Sequence, residues 1–159
     1  NGYRAASYSI DRVHHWAHDE LERAGHLYSS SIYPIRHDLY GIPDAPRFPY
    51  RIKSGNLMEI PVSTSILLGR RMPCGGGGYF RLYPYVFSRF LINRLNRVDK
   101  KPCVFYFHPW ELDVDQPRQA TLDIRTRTRH YLNLNRMERK LSRLLSDFRW
   151  DRMDRVFMK

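Results

Sequence analysis

Acidic residues are scarce in this chain: 16 Asp and Glu stand against 27 Lys and Arg, a formal net charge of +11 over 159 residues. Such a balance favours anionic partners, whether nucleic acid, anionic lipid or an acidic polysaccharide. It equally fits an arginine-rich composition whose charges sit on solvated helix faces, because the basic residues are spread out. The densest stretch, Arg125 to Arg143, also carries apolar residues at helical spacing. Cysteine is almost absent. Cys74 and Cys103 alone make no disulfide framework and fall short of the four ligands or so that structural zinc takes. No apolar run reaches the length of about 18 residues that a membrane-spanning helix needs. The opening Asn1-Gly2-Tyr3-Arg4 is neither a signal peptide nor a natural start, and points to an engineered start, a processed chain or a fragment. The G-x-S-x-G elbow is missing, which argues against a serine hydrolase of the α/β class.

What remains is an ordinary globular composition, 42% hydrophobic and 27% charged, in a length that suits one domain with a real core. Aromatics reach 14%, with 11 Tyr. Such side chains pack well and also line grooves for sugars or nucleobases, so their number does not choose a ligand.

The periodicity predicts a helix over Asp11 to Arg23, capped by Ser9 or Asp11, closed at Gly25, and buried through Val13, Trp16, Ala17 and Leu21. A short segment, Tyr28 to Tyr33, precedes a long loop over 34 to 56, where Pro34, Pro43, Pro46 and Pro49 forbid extended regular structure. Leu57 to Val62 reads as a strand. Pro84 to Asn96 reads as a helix with Val86, Phe87, Phe90, Leu91 and Leu95 on its apolar face. Val104 to Phe107 reads as a strand buried on both sides. Arg136 to Phe148 reads as a helix with an Asn135/Glu138 capping box and Met137, Leu141, Leu144, Leu145 and Phe148 along one face. After Arg149 a basic tail, 151 to 159, is expected to fray. Helices alternating with short apolar strands imply an α/β layout with a largely parallel sheet.

Three features could carry chemistry. His108 stands at the end of an apolar strand, where α/β folds gather functional side chains, and an imidazole can move protons near neutral pH. On the residues alone, a structural histidine satisfied by a backbone carbonyl is as good a reading. His14 and His18 share a helix face at i and i+4, the spacing of a metal pair. With no H-E-x-x-H pattern and no evident third ligand beyond Asp11 or His15, a surface histidine cluster is the expectation. Gly75 to Gly78 lacks the Lys-Ser/Thr of a P-loop and reads as a flexible turn.

Several stretches, taken in order, resemble one family. They are Gly2 to Ile10, Tyr28 to Pro34, Arg36 to Pro43, Gly76 to Arg81 and Phe105-Tyr106-Phe107-His108-Pro109-Trp110-Glu111. Together they look like the C-terminal portion, residues 1–150, of a NodB-type polysaccharide deacetylase (carbohydrate esterase family four) of the exosortase-associated branch. The resemblance implies an α/β fold, the C-terminal part of a distorted (β/α) barrel, and an enzyme that hydrolyses N-acetyl groups with a divalent, zinc-like metal. The family's metal ligands and its base aspartate belong to two motifs that come before the arginine motif. No metal ligand is therefore assigned here, and the chain alone is expected to be inactive.

Residue by residue, the resemblance implies that Arg4 holds the base aspartate by a charge-assisted bond, although Ala6 and Ser7 replace the family's proline and tyrosine after it. It implies that His108 is the general acid or oxyanion stabiliser. Phe105 would pack near the acetyl methyl, Tyr33 would stand where a tryptophan often sits, and Trp110 would complete the substrate-binding set. Ser29 falls where the family has an aspartate that charges and orients the histidine, so His108 is expected to be a poorer acid here. The implied partners are an acetylated exopolysaccharide or its lipid-linked precursor, and a separate N-terminal half. The alternative is a basic, non-enzymatic domain that binds an anionic polymer such as nucleic acid.

Overall fold

The computed structural model describes residues 1–53 and 55–158. A four-stranded sheet runs in the order β1 (Gly2–Tyr3), β2 (Tyr28–Ser29), β4 (Met58–Glu59), β3 (Tyr50–Arg51). β1, β2 and β4 are parallel and bring Tyr3, Ser29 and Glu59 into register. The edge strand β3 is antiparallel to β4. The parallel arrangement expected from the sequence therefore holds in the centre of this sheet. It fails in the second sheet, a hairpin of β5 (Thr64–Leu67) and β6 (Arg70–Pro73). That hairpin turns through Leu68 and Gly69, both at positive φ (49° and 74°), as a primed two-residue turn demands. Leucine at the first turn position hides the hairpin from a reading that looks for Asn-Gly or Asp-Gly.

The helices are α1 (Trp16–Arg23), α2 (Gly77–Leu82), α3 (Tyr85–Arg97), α4 (Ile124–Tyr131), α5 (Leu134–Asp147) and α6 (Met153–Phe157). The main core lies between α3 and α5: Leu91, Ile92 and Leu95 share one cluster with Met137, Leu141 and Leu144, with Phe80 and Tyr85 beside them. Each such side chain contributes about 1.5–3 kcal/mol when fully buried.

Several local expectations are corrected. The first helix starts later than expected, at Trp16, so Val13 falls outside it; Val13 and Trp16 are 79% and 62% exposed, Ala17 and Leu21 are half-buried, and His18 is buried. The surface histidine cluster is thus broken up: His14 pairs with Asp11 in solvent, and His18 Nε2 faces Glu59 Oε2 at 3.6 Å in the interior. Gly25, at φ 80°, closes α1 as expected. In α3, Val86 and Phe90 are exposed and Tyr85, Ser88 and Ile92 take their place inside. The helix is rotated because its face is set by the elements it packs on, the β5–β6 hairpin among them, not by its own periodicity. α5 starts at Leu134 behind a left-handed Asn133, so the Asn135/Glu138 capping box does not form, and Leu145 is exposed. The segment 104–107 makes a single parallel bridge, Gly76 to Tyr106, and only Val104 of the four is buried. The tail does not simply fray, since α6 forms within it.

The tetraglycine is not a flexible turn. Gly77 N–H donates to Tyr106 O (2.9 Å) and Tyr106 N–H donates to Gly75 O (2.8 Å), so two backbones cross at close quarters. A Cβ on Gly75 would stand 2.1 Å from Val104 O, and one on Gly77 2.2 Å from Glu111 Oε2. Glycine is required there by space. Cys74 and Cys103 are free thiols packed side by side, and that contact together with burial raises the Cys74 thiol.

Candidate functional site

A run of three serines ties the parallel strands together from within. Ser30 Oγ donates to Ile60 O (2.7 Å), Ala5 N–H and Ser29 Oγ both donate to Ser31 Oγ (2.9 Å each), and Glu59 Oε1 accepts from Ser31 N and Ile32 N (2.8 and 2.9 Å). This buried network fixes the segment after β1. It carries Arg4, whose Nη2 donates to Ser30 Oγ (2.7 Å) and whose guanidinium lies 5.2 Å over the Tyr106 ring. Among the described residues Arg4 has no carboxylate partner.

The opposite wall comes from residues 106–111. Extended backbone sends alternate side chains to opposite faces, and this alternation sorts the aromatic motif. Tyr106 and His108 face a cavity, and Phe105 packs into the core against Phe80 (5.1 Å between ring centroids) and Trp150 (6.0 Å). The turn Pro109–Leu112 is closed by Glu111: its N–H donates to His108 O (2.9 Å), and its Oε2 accepts from His108 N (2.8 Å). Glu111 Oε1 accepts from Arg81 Nε at 2.9 Å. Arg81 in turn donates to the carbonyls of Arg129, His130 and Leu132 (3.2, 2.9 and 2.8 Å). A buried ion pair thus clamps the histidine loop to α2 and to the α4–α5 junction.

The cavity encloses about 560 Å³ and is lined by Arg4, Tyr8, Tyr40, Tyr106, His108 and Trp110, among others. His108 is exposed in it and stacks on Trp110 (5.9 Å, 12°), which stacks on His130 (4.2 Å, 14°). Desolvation and the neighbouring Arg81 lower His130 below the ordinary histidine range. Beneath the cavity, Tyr8, Tyr33, Tyr40 and Tyr106 form a tyrosine cluster whose hydroxyls are pushed up by burial. Such phenols stay neutral, and they offer hydrogen-bonding groups on an aromatic floor.

The structure brings together Arg4, His108 and Trp110, three of the residues that the sequence singles out. It places the other two elsewhere. Phe105 points into the core, and Tyr33 is fully buried below Tyr8 and Tyr40, so neither lines the cavity. Ser29 is spent on Ser31, and the contacts of His108 do not include it. Sequence reasoning misses Tyr106, Tyr40 and the Arg81–Glu111 clamp. The position of Tyr106, two before His108, is the signal that was available.

The donor set does not fit a divalent metal. Among the described residues no three His, Cys, Asp or Glu side chains gather to hold an ion. Near His108 the one carboxylate of the cavity wall, Glu111, has both oxygens committed to N–H donors.

Fold and site together define an α/β domain in which an arginine and a histidine line one aromatic cavity. Residues 30–158 match a family described as a domain of unknown function, DUF3473, and the chain belongs to that family, a domain associated with polysaccharide deacetylases. His108, Trp110, Arg81 and Glu111 lie inside the matched span, and Arg4 precedes it. Neither a search of curated proteins nor one of solved structures yields a match. Among the described residues no helix is long and apolar enough to cross a membrane.

Proposed function

We propose that this chain is the C-terminal portion of a NodB-type polysaccharide deacetylase of the exosortase-associated branch, its α/β elements forming part of a distorted (β/α) barrel. Its substrate would be an N-acetylated exopolysaccharide or the lipid-linked precursor of one. The observation that carries this reading is the convergence of Arg4 and His108, from segments more than a hundred residues apart, on one aromatic cavity. Aromatic walls suit sugar faces, and the exposed imidazole is free to reach a leaving group.

In this reading His108 gives a proton to the amine that departs when the acetyl C–N bond breaks. Trp110 stacks on the ring, and Glu111 fixes the main chain that carries it by accepting the His108 backbone N–H. Arg4, without a carboxylate of its own, is available to pair with one supplied by the rest of the domain. The family's metal would be held by residues other than those described above, because their donors do not fit it.

The test is acetate release from an N-acetylated oligosaccharide by the full-length polypeptide in which this chain occurs. H108A should lower kcat by about 10²–10⁴. Unchanged kcat would remove His108 from the mechanism. The chain by itself should release no acetate, and measurable release would overturn the reading of it as a portion of the site.

A further inference from the structure

We propose that a second cleft, between the α2–α3 turn and α5, binds a phosphate or diphosphate group. It meets the His108 cavity only at Arg81, which borders both, encloses about 250 Å³, and is lined by Arg136, Arg139, Lys140 and Arg143 from α5, with Tyr83 and Tyr85 opposite.

The four cations fall at i, i+3, i+4 and i+7, on one face of α5. Like charges at this spacing repel one another along a helix. Such a face is ordinarily relieved by interleaved carboxylates, and here none lines the cleft. Glu138, on α5 itself, does not line the cleft, and two further acids of the surrounding elements are already engaged. Glu111 is held by Arg81, and Asp147 accepts from Tyr85 Oη (2.7 Å) and pairs with Arg89 (2.9 Å). Arg136, Arg139 and Arg143 have no ion-pair partner among the described residues.

Lys140 separates this cleft from an ordinary solvated helix face. It is buried, and its ammonium donates to the carbonyls of Phe80 and Tyr83 at the end of α2. Desolvation and the charges of Arg136 and Arg81 depress it to about 8. A bound anion would relieve that charge excess. Arg143 is oriented by stacking 4.5 Å over the Tyr85 ring, which shapes the wall. A planar guanidinium fork in this setting matches phosphate oxygens better than a point charge would. The chemistry is shared by a lipid headgroup and a soluble phosphate ester.

Inorganic pyrophosphate titrated calorimetrically into the chain at low salt, with phosphatidylglycerol vesicles in a parallel sedimentation, tests the proposal. Arg136 and Arg139 are exposed, so R136Q/R139Q should fold, which its unfolding midpoint checks. That variant should weaken pyrophosphate binding at least tenfold. R97Q/R127Q, which removes the same charge from exposed sites elsewhere, should change it less than threefold. Vesicle binding that pyrophosphate displaces and R136Q/R139Q abolishes would assign the group to a lipid headgroup. Pyrophosphate binding without vesicle binding would assign it to a soluble ester. No binding at millimolar pyrophosphate, or equal weakening in both variants, overturns the proposal.

Discussion

Glu111 and Arg81 form an ion pair of 2.9 Å with side chains only 2% and 3% exposed. The pair also closes the His108 turn, because the second carboxylate oxygen takes the His108 N–H. Removing one partner of such a pair leaves an uncompensated buried charge. E111L should therefore cost about 3–5 kcal/mol in urea unfolding. The double variant E111L/R81M should recover part of that loss, although it orphans the carbonyls of residues 129, 130 and 132. A double variant no better than E111L would mean that the carbonyl bonds of Arg81 outweigh its bond to Glu111.

The glycine run separates space from flexibility. G77A forces a Cβ to within 2.2 Å of the Glu111 carboxylate and should destabilise strongly, as should G75A against Val104 O. G78A meets nothing within 4 Å and lies in α2, so it should be neutral or stabilise by up to about 1 kcal/mol. Thermal unfolding of the three variants checks the order. Equal effects at all three positions would show that the close crossing is not what demands glycine.

The exposed side of α1 and the Glu59 carboxylate of β4 that meets its buried side should respond in the opposite sense to the sequence pattern. W16A removes an exposed ring and should stay within about 0.5 kcal/mol of wild type. E59A orphans the N–H groups of Ser31 and Ile32 and leaves His18 facing a void. It should cost several times more, at about 1–3 kcal/mol per lost acceptor bond. Urea midpoints of the two proteins give the comparison directly.

Lys140 gives a pH signature. Its folded pKa is depressed to about 8, below the ordinary lysine value of 10.5. Between those values the unfolded chain binds the proton and the folded one does not, so stability rises with pH across this window and is lost as pH falls towards 8. The Cys74 thiol and the buried tyrosines are raised instead, and pull the other way above their unfolded values. The difference between wild type and K140M isolates the lysine. Wild type should gain on K140M as pH goes from 8 to 10.5, and a constant difference would remove the depressed pKa.

Much of the secondary structure was legible. The existence of α1, α3 and α5 followed from apolar periodicity, and Gly25 and the prolines of the long loop marked where helices could not continue. The rotations were not legible. Trp16 and Phe90 look like core residues in one dimension, and they are exposed because neighbouring elements cover other faces of their helices. His18 and Lys140 are polar residues that periodicity assigns to solvent. Lys140 is inside because the end carbonyls of α2 accept its hydrogens, and His18 lies in the interior with its imidazole 3.6 Å from the Glu59 carboxylate, a charge contact and not a hydrogen bond. The (β/α) barrel stays part of the proposal, since strands of two residues follow from pairing geometry and do not close a barrel by themselves.

By itself, then, the sequence determined the stretch that holds His108, the helices α1, α3 and α5 but not α2 or α4, the family resemblance and the excess of positive charge. Only the tertiary structure decided which side chains share a cavity. Alternation along 105–108 turned Tyr106 and His108 outward and Phe105 inward, and the serine network brought Arg4 across to meet them. It also gathered four cations of α5 in a cleft without a carboxylate. Spacing along a chain fixes which residues can share a face. What that face meets depends on packing between elements far apart in sequence.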